Sequence, residues 1–165
     1  MRLPPGQAWG LKAKHEAEMT GYMVTWTTYG SWLPGDKRGY VRQGKIMSGD
    51  PNILKASQSL QKSTTVTLDS DQKAIIRRAI LREAERIGHT IEALAVCTNH
   101  IHLVARPSEE SIDSIVSRYK NVAMFSICKD RPVRRIWTRG FDKRFCFNEK
   151  ILNQRIEYVK RHGPD

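Results

Sequence analysis

Apolar periodicity along the chain alternates in the order strand, helix, strand, strand, helix, strand, helix. That order predicts an α+β fold: a ferredoxin-like sandwich, with helices packed on one face of an antiparallel sheet, plus a C-terminal helix. Two βαβ-type units joined by a hairpin give this arrangement. The hairpin is the second observation, because two strands, Thr90 to Cys97 and His100 to Arg106, are separated only by Thr98-Asn99. Length is the third: 165 residues suit one compact domain spanning 1–165.

Residues 1–20 are rich in Pro, Gly and charge and read as an irregular or partly helical arm. Gly21 to Thr28 is aromatic and β-branched, a buried strand. Residues 29–65 are punctuated by turn residues and then stay polar, which reads as a loop insertion. Asp69 or Ser70 caps a helix running to about Ile87, with Ile76, Ile80, Ala84 and Ile87 as its stripe and Gly88 as its end. After the hairpin, a second helix covers about Glu109 to Cys128, its stripe formed by Ile112, Ile115, Val116, Tyr119, Val122 and Ala123. Phe141 to Phe147 is a short aromatic strand, and Glu149 to His162 a last helix with Leu152, Ile156 and Val159 inward. Trp26, Trp137, Tyr22 and Tyr119 are expected in the core.

Composition narrows the partners. Lys plus Arg number 28 against 17 Asp plus Glu, a net charge of +11. The segment Ser111–Asp165 holds 13 basic and 6 acidic residues, so it carries +7 of that excess. Such a surface attracts polyanions, and nucleic acid is the expected partner. No run approaches the roughly 20 apolar residues of a membrane span, and the N-terminus lacks a secretory apolar segment, which predicts a cytoplasmic protein. Cys97, Cys128 and Cys146 show no CxxC spacing and read as reduced thiols.

Two residues carry the first chemical signal. His100 and His102 alternate with Ile101 on one strand, so both imidazoles share a face and offer two-thirds of a divalent-metal site. The last helix supplies the second. At about 100° per residue, Tyr158 lies off the Leu152/Ile156/Val159 stripe, and Gln154, Tyr158 and His162 form one ridge. A phenol one turn from an imidazole, beside Arg155, Lys160 and Arg161, suits phosphate chemistry. Tyr119 is the competing tyrosine, read as a core aromatic.

The ordered segments Cys97–Val104 (containing His100-Ile101-His102), Arg135-Ile136-Trp137-Thr138-Arg139-Gly140-Phe141 and Arg155-Ile156-Glu157-Tyr158-Val159-Lys160 together resemble the REP-associated tyrosine transposases of the single-tyrosine HUH superfamily. The resemblance covers roughly residues 21–162 and departs at Thr98, where the family usually has Pro. It implies a bacterial, metal-dependent endonuclease and strand transferase for single-stranded DNA at sites beside hairpins. It implies Tyr158 as the nucleophile that forms a 5′-phosphotyrosine, and His100 and His102 as metal ligands.

The family's third ligand lies one turn after the tyrosine, which here is His162, with Gln154 as the second candidate. An all-imidazole set favours Mn²⁺ or another transition ion over Mg²⁺. Candidate DNA phosphate contacts are Arg118, Lys120, Arg131, Arg134, Arg135, Arg139, Lys143 and Arg144, and candidate stacking residues are Trp9, Trp32 and Tyr40. Monomer and homodimer both stay open. The alternative is a domesticated, non-catalytic binder of single-stranded or hairpin nucleic acid.

Overall fold

The structure, a computed structural model, describes residues 18–43, 45–61, 64–129 and 135–163. Its centre is a four-stranded antiparallel sheet of β1 (Gly21–Thr27), β4 (Ile91–Val96), β5 (His100–Ala105) and β6 (Asp142–Cys146). The spatial order is β4-β5-β1-β6. Helix α2 (Ser70–Ile87) connects β1 to β4, and α3 (Ile112–Ile127) connects β5 to β6. This βαββαβ path with its two helical crossovers is the ferredoxin-like α+β fold expected from the sequence.

Local chemistry explains the boundaries. Asp69 caps α2 in a reciprocal capping box with Gln72, and Gly88 closes it in the left-handed conformation at φ 67°. Ser111 caps α3 through Ser114 N–H, and Asn148 caps α4 (Glu149–His162) through Ile151 N–H. Tyr22, Val24 and Trp26 of β1 point to one sheet face, packing with Ile76 and Ile80 of α2 and with Ile115 and Tyr119 of α3. Trp26 and Trp137 meet edge to face, with ring centres 6.2 Å apart. Tyr119 is fully buried, its hydroxyl 2.6 Å from His89 Nδ1, while His89 Nε2 lies 3.1 Å from the Tyr22 hydroxyl. That network accounts for Tyr119 as a structural residue, because burial pushes its phenol well above the ordinary tyrosine range.

The other sheet face belongs to α4. Leu152, Ile156 and Val159 pack there on Met23, Ala93, Ala95, Val104 and Cys146. Helices therefore cover both faces, α2 and α3 one and α4 the other. Gly21 permits the close approach of α4: a Cβ at that position would lie 2.6 Å from Leu152 Cδ1 and 2.8 Å from the Ala105 carbonyl.

The 29–65 segment, expected as loop, contains regular structure. A short hairpin of β2 (Tyr40–Arg42) and β3 (Lys45–Met47) is followed by helix α1 (Pro51–Ser59). Asp50 caps α1 by accepting from Asn52 N–H and Ile53 N–H, and Pro51 opens its first turn. The 51–59 helix buries no residue fully, so it has no core stripe for periodicity to reveal. Among the described residues no helix is long and apolar enough to cross a membrane. Most of the 1–20 arm, including Trp9, lies outside the described residues.

Leu152→Ala should destabilise the protein by about 2–4 kcal/mol, because it removes a fully buried side chain at the α4–sheet contact and leaves a cavity. Urea unfolding followed by circular dichroism measures this. A change below about 0.5 kcal/mol would show that α4 is not docked as described.

Candidate active site

Strand pairing sets the floor of the site. On β1, Thr25 stands opposite His102 of β5, and Thr27 opposite His100. On the other side Thr25 stands opposite Asp142 of β6, so Asp142, Thr25 and His102 form one cross-strand row. Alternation along β5 buries Ile101 and Leu103 in the α2/α3 core and turns His100 and His102 to the α4 face. The last turns of α4 meet His102 on that face.

The resulting cluster is tight. The ring centres of His100 and His102 are 4.6 Å apart, His102 and Tyr158 5.6 Å, His102 and His162 5.5 Å, and Tyr158 and His162 4.2 Å. His102 is 8% exposed and Tyr158 41%, so a buried imidazole floor lies beneath an accessible phenol. A groove of about 640 Å³ beside Tyr158 is lined by Lys150, Asn153, Gln154, Glu157 and Arg161. Tyr158, His100, His102 and His162 are thus brought together, while Gln154 lines this outer groove.

Each of these three histidines has one ring nitrogen engaged. His100 Nδ1–H donates to Asn99 Oδ1 at 2.7 Å, and His162 Nδ1–H donates to the Tyr158 carbonyl at 2.7 Å. His102 Nδ1 is 2.7 Å from the Thr25 hydroxyl. Carbonyl oxygens only accept, so neutral His100 and His162 carry their lone pairs on Nε2. The Thr25 contact directs His102 to the same tautomer when its Nδ1–H is the donor. Fixing one ring nitrogen to present the other is how proteins prepare imidazole ligands. Burial, followed by the neighbouring charges of His100 and His162, pushes His102 down to about 4. His100 is also held below the ordinary histidine range, by burial, His162 and Arg38.

Among the described residues, however, no three His, Cys, Asp or Glu side chains converge their donor atoms enough to hold a metal ion. The imidazoles are neighbours, not a closed cage. As chemistry the donor set fits a borderline transition ion, with three imidazole nitrogens and exposed His162 at the end of its helix.

The basic residues divide. Arg118 on α3 is paired with Glu110 at 3.1 Å and with Glu83 at 3.4 Å. Lys120 donates to the Thr138 and Gly140 carbonyls at 3.1 and 2.6 Å, holding the segment before β6 against α3. Both lie on the helical layer across the sheet from the histidines, tied into the fold. Arg135 donates to the Trp137 carbonyl and lies 4.9 Å over the Tyr29 ring. Lys143 is 3.7 Å from Asp113, Arg144 pairs with Asp142 at 3.1 Å, and Arg139 is exposed. Arg131 and Arg134 lie outside the described residues.

Sequence reasoning missed Thr25 and Asn99 as partners of the histidines. Asn99 adjoins His100 and was open to inspection, whereas Thr25 becomes a neighbour of His102 only through the β1–β5 register.

No family model matches the chain, and no curated protein matches it. Among solved structures, the chain is similar to a REP-associated tyrosine transposase bound to a REP hairpin, at 17% identity and a TM-score of 0.49. The match covers 86% of this chain and spans 65% of that structure's length.

The depressed His102 has a measurable consequence. Its folded value of about 4 lies below the ordinary unfolded value near 6.5. The stability it contributes is therefore complete above about pH 6.5 and is lost as pH falls toward 4. NMR titration of the imidazole resonances should place His102 near 4 and below His100. A His102 midpoint at or above 6.5 would contradict the geometry.

Proposed function

We propose that the protein is a transposase-like endonuclease and strand transferase that cuts and rejoins single-stranded DNA beside hairpins through a phosphotyrosine. The observation that supports this best is the meeting of Tyr158 and His162 of α4 with the His100/His102 pair of β5. A phosphodiester seated at this cluster meets an accessible phenol and the imidazoles beside it.

A phenol is a weak nucleophile at neutral pH and gains from a polarised electrophile. His100 and His102, with His162 as the third imidazole, would hold Mn²⁺ or Mg²⁺, and a divalent ion supplies Lewis-acid polarisation of the phosphoryl oxygen. Thr25 and Asn99 orient two of those imidazoles. The Tyr158 oxygen bonds to phosphorus as the bond to the 3′-oxygen breaks. The phenol loses its proton, the 3′-oxygen gains one, and the products are a 5′-phosphotyrosine and a free 3′-hydroxyl. Attack by another 3′-hydroxyl reverses the step. One phosphoester replaces another throughout, so rejoining needs no ATP.

The charge excess fits the polyanionic substrate, with Arg161, which lines the groove beside Tyr158, and the exposed Arg139 and Arg144 as phosphate contacts. A cytoplasmic, DNA-associated location follows from the same reading.

Mixing the protein with end-labelled single-stranded DNA from the flanks of its own gene, with and without Mn²⁺, tests the proposal on a denaturing gel. Wild type should give a metal-dependent covalent adduct. Tyr158→Phe should abolish it while keeping DNA affinity within about twofold, and His102→Ala should lose both adduct and Mn²⁺ binding. Tight binding without any adduct would make the chain a non-catalytic binder, and an adduct surviving in Tyr158→Phe would move the nucleophile elsewhere.

A further inference from the structure

The insertion carries a second feature beside the histidines. Trp32 is 45% exposed, yet its ring is held firmly in place. Its indole N–H donates to the Gly39 carbonyl at 2.7 Å, and the Arg38 guanidinium lies 4.2 Å from the ring centre. Arg38 is itself fixed. Its Nε and Nη2 donate to the two Asp36 carboxylate oxygens at 2.7 and 2.6 Å, and Nη2 also donates to the Ser31 carbonyl at 2.8 Å.

The platform is tied to the site. The Ser31 hydroxyl lies 2.7 Å from the Thr28 carbonyl and 3.3 Å from the Asn99 carbonyl, and Asn99 is the residue whose side chain holds His100. Thr28 N–H also donates to the Asn99 carbonyl, at 2.9 Å. A large aromatic left open to solvent and held by the Gly39 carbonyl and the Arg38 guanidinium is pre-organised, so a flat ligand meets it with little ordering cost.

We propose that Trp32 and Arg38 form a stacking subsite for an unpaired nucleobase flanking the phosphodiester at His100 and His102. This inference rests on the single-stranded DNA reading above. Stacking on tryptophan and guanidinium planes is tolerant of base identity and requires a base free of its own helix. The subsite therefore discriminates single strand from duplex, and its distance from the histidines fixes how far along the strand the stacked base lies. Arg38 keeps one side of its charge on Asp36, so its role is to hold the ring and offer its own plane.

Fluorescence anisotropy with a labelled single-stranded oligonucleotide, and with a series carrying one abasic site at successive positions, tests this. Trp32→Ala should weaken single-strand binding about tenfold, and Trp32→Phe should recover most of the loss. One abasic position should weaken wild-type binding and leave Trp32→Ala unaffected. Equal affinity of Trp32→Ala and wild type overturns the subsite, as does a weakened Trp32→Ala that keeps the full abasic pattern. A wild-type chain that binds no single-stranded oligonucleotide overturns the proposed function together with the subsite.

Discussion

Burial of the sheet's second face by α4 is the constraint on which the rest depends. An antiparallel sheet covered by α2 and α3 on one side still presents Met23, Ala93, Ala95 and Val104 on the other. Leu152, Ile156 and Val159 remove that area from water, and the absence of a side chain at Gly21 lets the helix come close. Once those three residues are inward, helical geometry dictates where Tyr158 and His162 point. They meet His102 because the period-two strand and the 3.6-period helix present their polar residues beside the same apolar contact. The core contact and the Tyr158/His102/His162 cluster share one interface.

The cluster also shows how a fold fixes the orientation of its histidines. Burial keeps His102 neutral, and hydrogen bonds engage one nitrogen of each ring. The partners come from three sources: a strand hydroxyl, a turn amide and a helix carbonyl. The first and third exist only once β1 pairs with β5 and α4 winds. The insertion adds its own layer, since Ser31 ties it to the Asn99 turn and Val66 N–H donates to the Tyr29 carbonyl at 2.9 Å.

Much of the fold was legible from periodicity because the strands and the three long helices have strong stripes and clear caps. The tyrosines were legible for the same reason. Tyr119 lies in the middle of a stripe and is buried, whereas Tyr158 lies off one and is exposed. Helix α1 was not, because no residue in it is fully buried, although Asp50-Pro51 is a start signal that stands in the sequence. The face taken by α4 could not be read either, since an apolar stripe does not say which side of a sheet it will cover. The basic residues were the hardest. Charge alone does not distinguish Arg118, held by Glu83 and Glu110, from exposed Arg139, because those partners come together only in space.

We propose that α4 delivers its tyrosine to phosphate chemistry at the histidine pair. Mass spectrometry of the protein after reaction with single-stranded DNA, nuclease trimming and trypsin digestion tests it directly. The expected product is a nucleotide 5′-phosphate attached to the peptide Ile156-Glu157-Tyr158-Val159-Lys160. A nucleotide on the Tyr119 peptide, or on another residue, would contradict it.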